Sequence, residues 1–522
     1  MSATQIFLAS TPFGALTLAA ALDAGLLGDG KARRVLVVSN NAAIPELTPG
    51  LTAQPGWETL GRRFDALIDW NAEIAPLHPS GWQPREEELP LYERWLRDRW
   101  GLAGHDVELV VESVAVAPAR TLCALFFDAP ITVYSDGLMS YGPTRSALPP
   151  GVGSRIDRLL HLDLVPGLTP QLLREYGVPS TTIPDAAFRK VLDELTDAVR
   201  PALTAPDGGG IPEGTPLVVG QYLAALEILT AQEEDDLHVA MLRGVVARGF
   251  STVLFKPHPA SPVRATERLA DEARRLGARL VVVDQPVPAE AWCAAVRPAL
   301  IVGCFSTAQI TAARYYGVPA ATVGAAALLD RLTPYENSNR VPVTIVDATV
   351  PALSADGSLT NPTFPPNAAL PANAASPAEA ARPGETARPA EAARPGETAR
   401  PAEAARPGEA ARPALTAHPP QPGTARPAQP KPGPALEPLL AAVAYAMQAA
   451  TRPDLRAQAV HFLNDHWQPT QRYFKRRRLT SLALPGGLPS SDHPLVTAAL
   501  PRTSRRRRLA TAALRQVDRL RD

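Results

Sequence analysis

Cysteine is scarce: the 522-residue chain carries only Cys123, Cys293 and Cys304. Three cysteines in or beside apolar runs cannot build a disulfide framework, and they read as reduced core thiols of a cytosolic protein. No metal-ligand spacing appears among them. Excess charge of either sign is also missing, since Lys plus Arg and Asp plus Glu stand at 52 each; net charge therefore gives no support to a nucleic-acid partner. Long apolar runs are absent. The apolar opening, MSATQIFLASTPFGALTLAAALDAGLL, lacks a basic flank, and Pro12 and Gly14 interrupt it before a spanning length is reached. It reads as strand, turn and helix rather than as a secretion signal or a transmembrane segment, and the expected location is cytoplasmic.

Proline, by contrast, is abundant at 56 residues. Many fall in SPAEAARPGETARPAEAARPGETARPAEAARPGEAARPA, a repeat of ARP-(G/A)-E units with almost no apolar bulk beyond alanine. Proline every few residues forbids a regular helix, and nothing here could form a core. The expectation is a disordered, semi-extended Pro/Ala-rich spacer over 351–435.

Around it the chain alternates strand and helix signals, as parallel α/β sheets require. Residues 1–203 form one block, with apolar runs such as RVLVVS, VELVVES and PITVYSDG. The polar stretch TAPDGGGIPEGTP, 204–216, reads as a hinge. A second block, 217–350, carries PLVVGQY, STVLFKPH, ARLVVVD, PALIVGCFS and AATVG. The fold class is therefore α/β, two doubly wound parallel-sheet domains with a site in the cleft between them. Folding signals resume over 436–486 as closing helices, and 487–522 reads as a disordered basic tail.

Three strand ends carry chemistry. Asp136-Gly137 follows PITVYS: a carboxylate there can act as a general base, and Asp-Gly is equally a common turn signal. His258 ends STVLFKPHP, its rotation limited by Pro257 and Pro259. His-Pro recurs at His78, His418 and His493, but only His258 follows a buried strand, the edge where α/β sheets bind ligands. Lys256 should point to the opposite face. The third strand ends at Gly303, and Ser306-Thr307 open a helix; one hydroxyl is expected as its N-cap, and together with the helix N-terminus the pair can hold an anion. Gln221 and Tyr222 end another strand and could face a nucleotide. Asp69, Trp70, His78 and Arg85, in DWNAEIAPLHPSGWQPR, mix aromatic faces and polar groups that suit a sugar acceptor, as well as an ordinary structural loop. The basic runs 475–478 and 505–508 read as solvated charge, or as a peripheral contact with anionic lipid or polyanionic glycan.

In this order, Asp-Gly, His-Pro and Ser-Thr resemble the motifs of bacterial sialyltransferases. With FLASTPFGALTLAAALDAG, VVGQYLAALEILT and YFKRRRLTSLALPG, the chain resembles the bacterial α-2,8-polysialyltransferase family over roughly 1–350 and 436–486. The resemblance implies a Rossmann-like, two-domain GT-B fold and an inverting transfer to a glycan hydroxyl in surface-polysaccharide synthesis. It implies CMP-sialic acid, or another CMP-activated nonulosonic acid, as donor, with no further cofactor. Asp136 would deprotonate the acceptor hydroxyl, His258 would stabilise or protonate the departing phosphate, and Ser306 with Thr307 would bind it. One departure stands out: the family has two acids before the glycine, and here the first position is Ser135. The rivals are a UDP-sugar transferase or epimerase on the same fold, for which no diphosphate-holding cluster is visible, and a non-catalytic scaffold.

Overall fold

The computed structural model describes residues 3–28, 30–206, 208–258, 263–364 and 435–488. Its centre is two seven-stranded sheets, whose central strands are continuous apolar runs buried on both faces. The first contains β1 (Ala3–Ala9), β2 (Arg33–Val38), β3 (Ala66–Asp69), β4 (Asp106–Val111), β5 (Ile131–Ser135), β6 (Ile156–Leu162) and β7 (Ser180–Ile183). Their spatial order is β3-β2-β1-β4-β5-β6-β7, all parallel. The second contains β8 (Leu217–Val219), β9 (Thr252–Lys256), β10 (Arg279–Val282), β11 (Ile301–Gly303), β12 (Ala320–Thr322), β13 (Ala352–Leu353) and β14 (Leu359–Thr360). Its order is β10-β9-β8-β11-β12-β13-β14, parallel except for the β13–β14 pair. In each sheet the order reverses once, between β1 and β4 and between β8 and β11. Ligands bind outside the carboxyl ends of strands at such switch points, because the helices diverge there and leave a crevice.

Folded structure continues beyond the expected start of the spacer at residue 351. The chain turns at Gly357, where φ is +86°, returns as β14, and buries Phe364, whose N–H donates to Ala348 O at 2.8 Å. The spacer expectation therefore holds no earlier than residue 365, and from there to 434 it lies outside the described residues, as does the tail from 489.

The two halves are joined by side chains. From the helix Thr307–Tyr316, Arg314 pairs with Asp185 and Tyr316 donates to Asp193 Oδ1 at 3.0 Å, both partners lying on the helix Asp185–Val199. The closing helices Leu436–Met447, Arg456–Thr470 and Arg476–Ser481 strap both halves. Fully buried Arg452 donates to Gln171 Oε1 at 3.0 Å in the first half, while Tyr335 of the second donates to Tyr473 O at 3.0 Å.

Candidate active site

The switch point of the first sheet holds a carboxylate pair. After β1, Ser10 and Thr11 lead into the helix Pro12–Asp23, which starts with Thr11 as N-cap, its hydroxyl accepting from Gly14 N at 2.9 Å, and with proline at N1. After β4 comes Glu112, and after β5 comes Asp136. Glu112 Oε1 accepts from Ser10 N at 3.0 Å and from the Ser10 hydroxyl. Thr11 Oγ1 donates to Asp136 Oδ2 at 3.5 Å. A Cβ at Gly14 would meet Thr11 Oγ1 and the Tyr134 hydroxyl at 3.1 Å and Glu112 Oε2 at 3.4 Å, so the first helical turn lies directly against the pair. Burial, followed by the charge of Asp136, pushes the Glu112 carboxyl up to about 7; burial also raises Asp136. Asp136 is the half-buried member and Glu112 the buried one.

At the second switch point, Gly220 follows β8 and Pro257-His258 follows β9. Gly220 N donates to Lys256 O at 2.8 Å. A Cβ on Gly220 would stand 3.0 Å from His258 N and 3.1 Å from Pro257 Cα, so only glycine lets the two strand ends approach this closely. The Tyr222 ring stacks on His258 with centroids 3.8 Å apart and planes 18° from parallel. Burial, then the charge of Lys256, lowers His258 to about 4, so its imidazole is neutral at pH 7. Lys256 itself turns elsewhere, donating to Gln285 O at 3.1 Å, and burial lowers it to about 8. Gln221 is buried, its amide donating to Gly220 O at 3.1 Å and its N–H to His238 Nε2 at 3.0 Å.

After β11, Ser306 caps the helix Thr307–Tyr316. Its hydroxyl accepts from Ala308 N at 3.3 Å, while Gln309 Oε1 accepts from Ser306 N at 2.9 Å, completing a capping box. One hydroxyl is thus a cap, as expected. Thr307 stands across the cleft from the carboxylates: a Cβ on Gly137 would lie 3.2 Å from Thr307 Oγ1. Gly303 serves packing, since a Cβ there would fall 2.6 Å from Val219 Cγ2. Beneath the same turn lies buried Glu290, which accepts from Thr311 Oγ1 at 3.0 Å; burial raises its carboxyl. Because β9 and β11 flank β8, His258 and the Ser306 turn start about 10 Å apart at this sheet edge.

The candidate acceptor residues lie elsewhere. Asp69 ends β3, four strands and about 19 Å along the sheet from β5. Its carboxylate caps the helix Trp70–Ile74 through Ala72 N at 3.2 Å. Trp70 has no exposed surface; its ring packs against Trp82 and Trp100, so it is a core residue and offers no face to a sugar. His78 has both ring nitrogens engaged, with Ala42 O at 2.9 Å and Ser80 N at 3.2 Å. Exposed Arg85 pairs with Glu88. The basic run 475–478 is largely tied down too: Lys475 donates to Asp330 O, Arg476 to Gly486 O, and Arg478 pairs with Glu336 at 2.9 Å. The run 505–508 lies outside the described residues.

The alpha-2,8-polysialyltransferase (POLYST) family model matches residues 5–325, from β1 through β12 and across both switch points. The chain belongs to that family. It is a glycosyltransferase, and this polysialyltransferase-family chain carries its strand-end residues at the switch points of its two sheets. Among solved structures, the sialyltransferase from Photobacterium damsela is similar at 11% identity, with 66% of this chain and 78% of that chain covered and a TM-score of 0.37. The UDP-GlcNAc 2-epimerase from Methanocaldococcus jannaschii is similar at 12% identity, with 68% and 89% covered and a TM-score of 0.38. No curated protein sequence matches. Among the described residues no helix is long and apolar enough to cross a membrane.

Glu112 escaped the sequence reading although it ends VELVV as Asp136 ends ITVYS. The strand-end rule applied to Asp136 marks it equally; what sequence alone lacks is the order that sets β4 beside β5.

Proposed function

We propose that the chain transfers sialic acid, or a related nonulosonic acid, from a CMP-activated donor to a glycan hydroxyl with inversion, in surface-polysaccharide synthesis. The observation that carries this reading is the approach of Gly137 to Thr307, which sets the carboxylate end of β5 against the helix N-terminus that follows β11. The acceptor hydroxyl gives its proton to Asp136 as its oxygen bonds to the anomeric carbon. The bond from that carbon to the phosphate oxygen breaks on the opposite side, and the electron pair leaves with CMP.

The departing phosphate is held by the Thr307 N–H and hydroxyl at the positive end of the helix Thr307–Tyr316. Ser306 contributes by starting that helix, its own hydroxyl being engaged as the cap. His258 enters neutral and donates an N–H to the phosphate; the arriving anion raises its basicity, because a nearby negative charge favours the imidazolium. Tyr222, stacked on it, fixes the ring plane.

The test is CMP release by the full chain from CMP-sialic acid with a sialylated oligosaccharide acceptor, run beside UDP-GlcNAc. Turnover with the CMP donor, lowered about 10²–10³-fold in His258→Ala, is expected. Turnover of UDP-GlcNAc with none of the CMP donor would overturn the reading.

A further inference from the structure

A second acid shares a face with Asp136, on the neighbouring strand rather than at position 135. β4 and β5 pair with Val111 beside Val133, so the next residues, Glu112 and Tyr134, share one face. Alternation returns Asp136 to that face and sends Ser135 to the other, where its partner on β6 is His161. An acid at position 135 would therefore point away from Asp136, Thr11 and the start of the helix Pro12–Asp23, whereas Glu112 points towards them.

We propose that Glu112 and Asp136 act as a single two-carboxylate base that shares the proton taken from the acceptor hydroxyl. The inference rests on the transfer reaction proposed above and deepens it at the same site. Two carboxylates this close repel when both are ionised, so the last proton to leave belongs to the pair. Ser10 donates twice to Glu112 Oε1, and Glu112 Oε2 lies on the Gly14 and Thr11 side, where Thr11 reaches Asp136.

The groups around the pair are few. The Tyr134 hydroxyl faces it but donates to Leu8 O at 2.8 Å. The N-terminus of the helix Pro12–Asp23 favours ionisation and moderates the repulsion. Glu290, from the second half, is a further carboxyl whose charge adds to the repulsion. His161, on the far face, is kept neutral by burial, and Thr307 is uncharged. The direction of the Glu112 shift, up to about 7, fits a base matched to neutral pH. In the reaction the acceptor O–H proton passes to an Asp136 oxygen, is shared with Glu112, and is lost to water after CMP and product depart.

Glu112→Gln tests this, since the amide oxygen can still accept from Ser10. In wild type, kcat/KM for CMP release should rise with pH through a limb near 7. In the variant that limb should move about one unit or more towards acid. The plateau should fall about 10-fold to 100-fold, part of the ~10²–10⁴ that general-base catalysis supplies. An unmoved limb, with or without lost activity, would overturn the pair, because a structural role lowers rate without shifting the titration.

A second reading needs no substrate. A carboxyl raised in the folded state makes the fold lose stability as pH rises from the unfolded value, about 4.5, through the folded one. Urea titrations should show a larger loss in wild type than in Glu112→Gln, where the burial of Asp136 and Glu290 still contributes. If wild type turns over no sugar nucleotide, the transfer reading fails, and Asp136→Asn then decides the pairing by the same titration: the loss that Glu112 causes should shrink if the two carboxyls repel, and an unchanged loss would overturn the pair.

Discussion

Gly220→Ala is a one-carbon perturbation whose consequence can be worked from contacts. The added Cβ would stand 3.0 Å from His258 N, 3.1 Å from Pro257 Cα and 3.2 Å from Lys256 O, all of them backbone atoms, where ordinary contact begins at 3.4 Å. No side chain can rotate away, so the ends of β8 and β9 must part by about 0.4 Å, a shift that overpacked cores resist. The 2.8 Å bond from Gly220 N to Lys256 O, continuing the β8–β9 register, holds them together. Overpacking of this kind costs about 1–3 kcal/mol. The same displacement moves His258 against the Tyr222 ring; since a misplacement of ~1 Å can cost ~10²-fold, turnover should fall about 10-fold. Urea unfolding gives the first quantity and CMP release the second. Gly210→Ala is the control, because nothing lies within 4 Å of its added carbon and its φ is ordinary; it should be neutral or stabilising by about 0.4–1 kcal/mol. A Gly220→Ala protein with wild-type midpoint and turnover would refute the claim that β8 clamps the His258 strand end.

Other outcomes follow from the same contacts. His258→Ala should lower turnover about 10²–10³-fold while leaving the urea midpoint nearly unchanged, and unfolding instead would make it architecture. Trp70→Ala should cost about 3–5 kcal/mol in urea titration, with no specific rise in acceptor KM for the protein that remains folded, because the ring lies wholly in the core. Deleting residues 365–430 should leave both melting temperature and CMP release near wild type, since that composition cannot bury a core. A large loss in either would assign the segment a structural or regulatory part.

The amino-acid sequence by itself determined the central buried strands of both blocks, the strand ends before Asp136, His258 and Ser306, and a helix N-cap at one of Ser306 and Thr307. These are local properties: a continuous Val/Ile run, a proline that stops it, and a hydroxyl before a helix act over a few residues. The composition of the proline-rich stretch was legible for the same reason, although the fold persists to Phe364 because a turn at Gly357 returns a short strand to the sheet edge. Tertiary structure alone decided what each strand end meets. Sheet order places Glu112 beside Asp136, a residue remote from it in the chain, and the two-domain arrangement sets Gly137 against Thr307. It also decided that Trp70 is core, that Tyr222 lies on His258, and that the 475–478 run binds its own chain. The physical reason is that burial and like-charge repulsion depend on distances between segments remote in sequence, which no local pattern encodes.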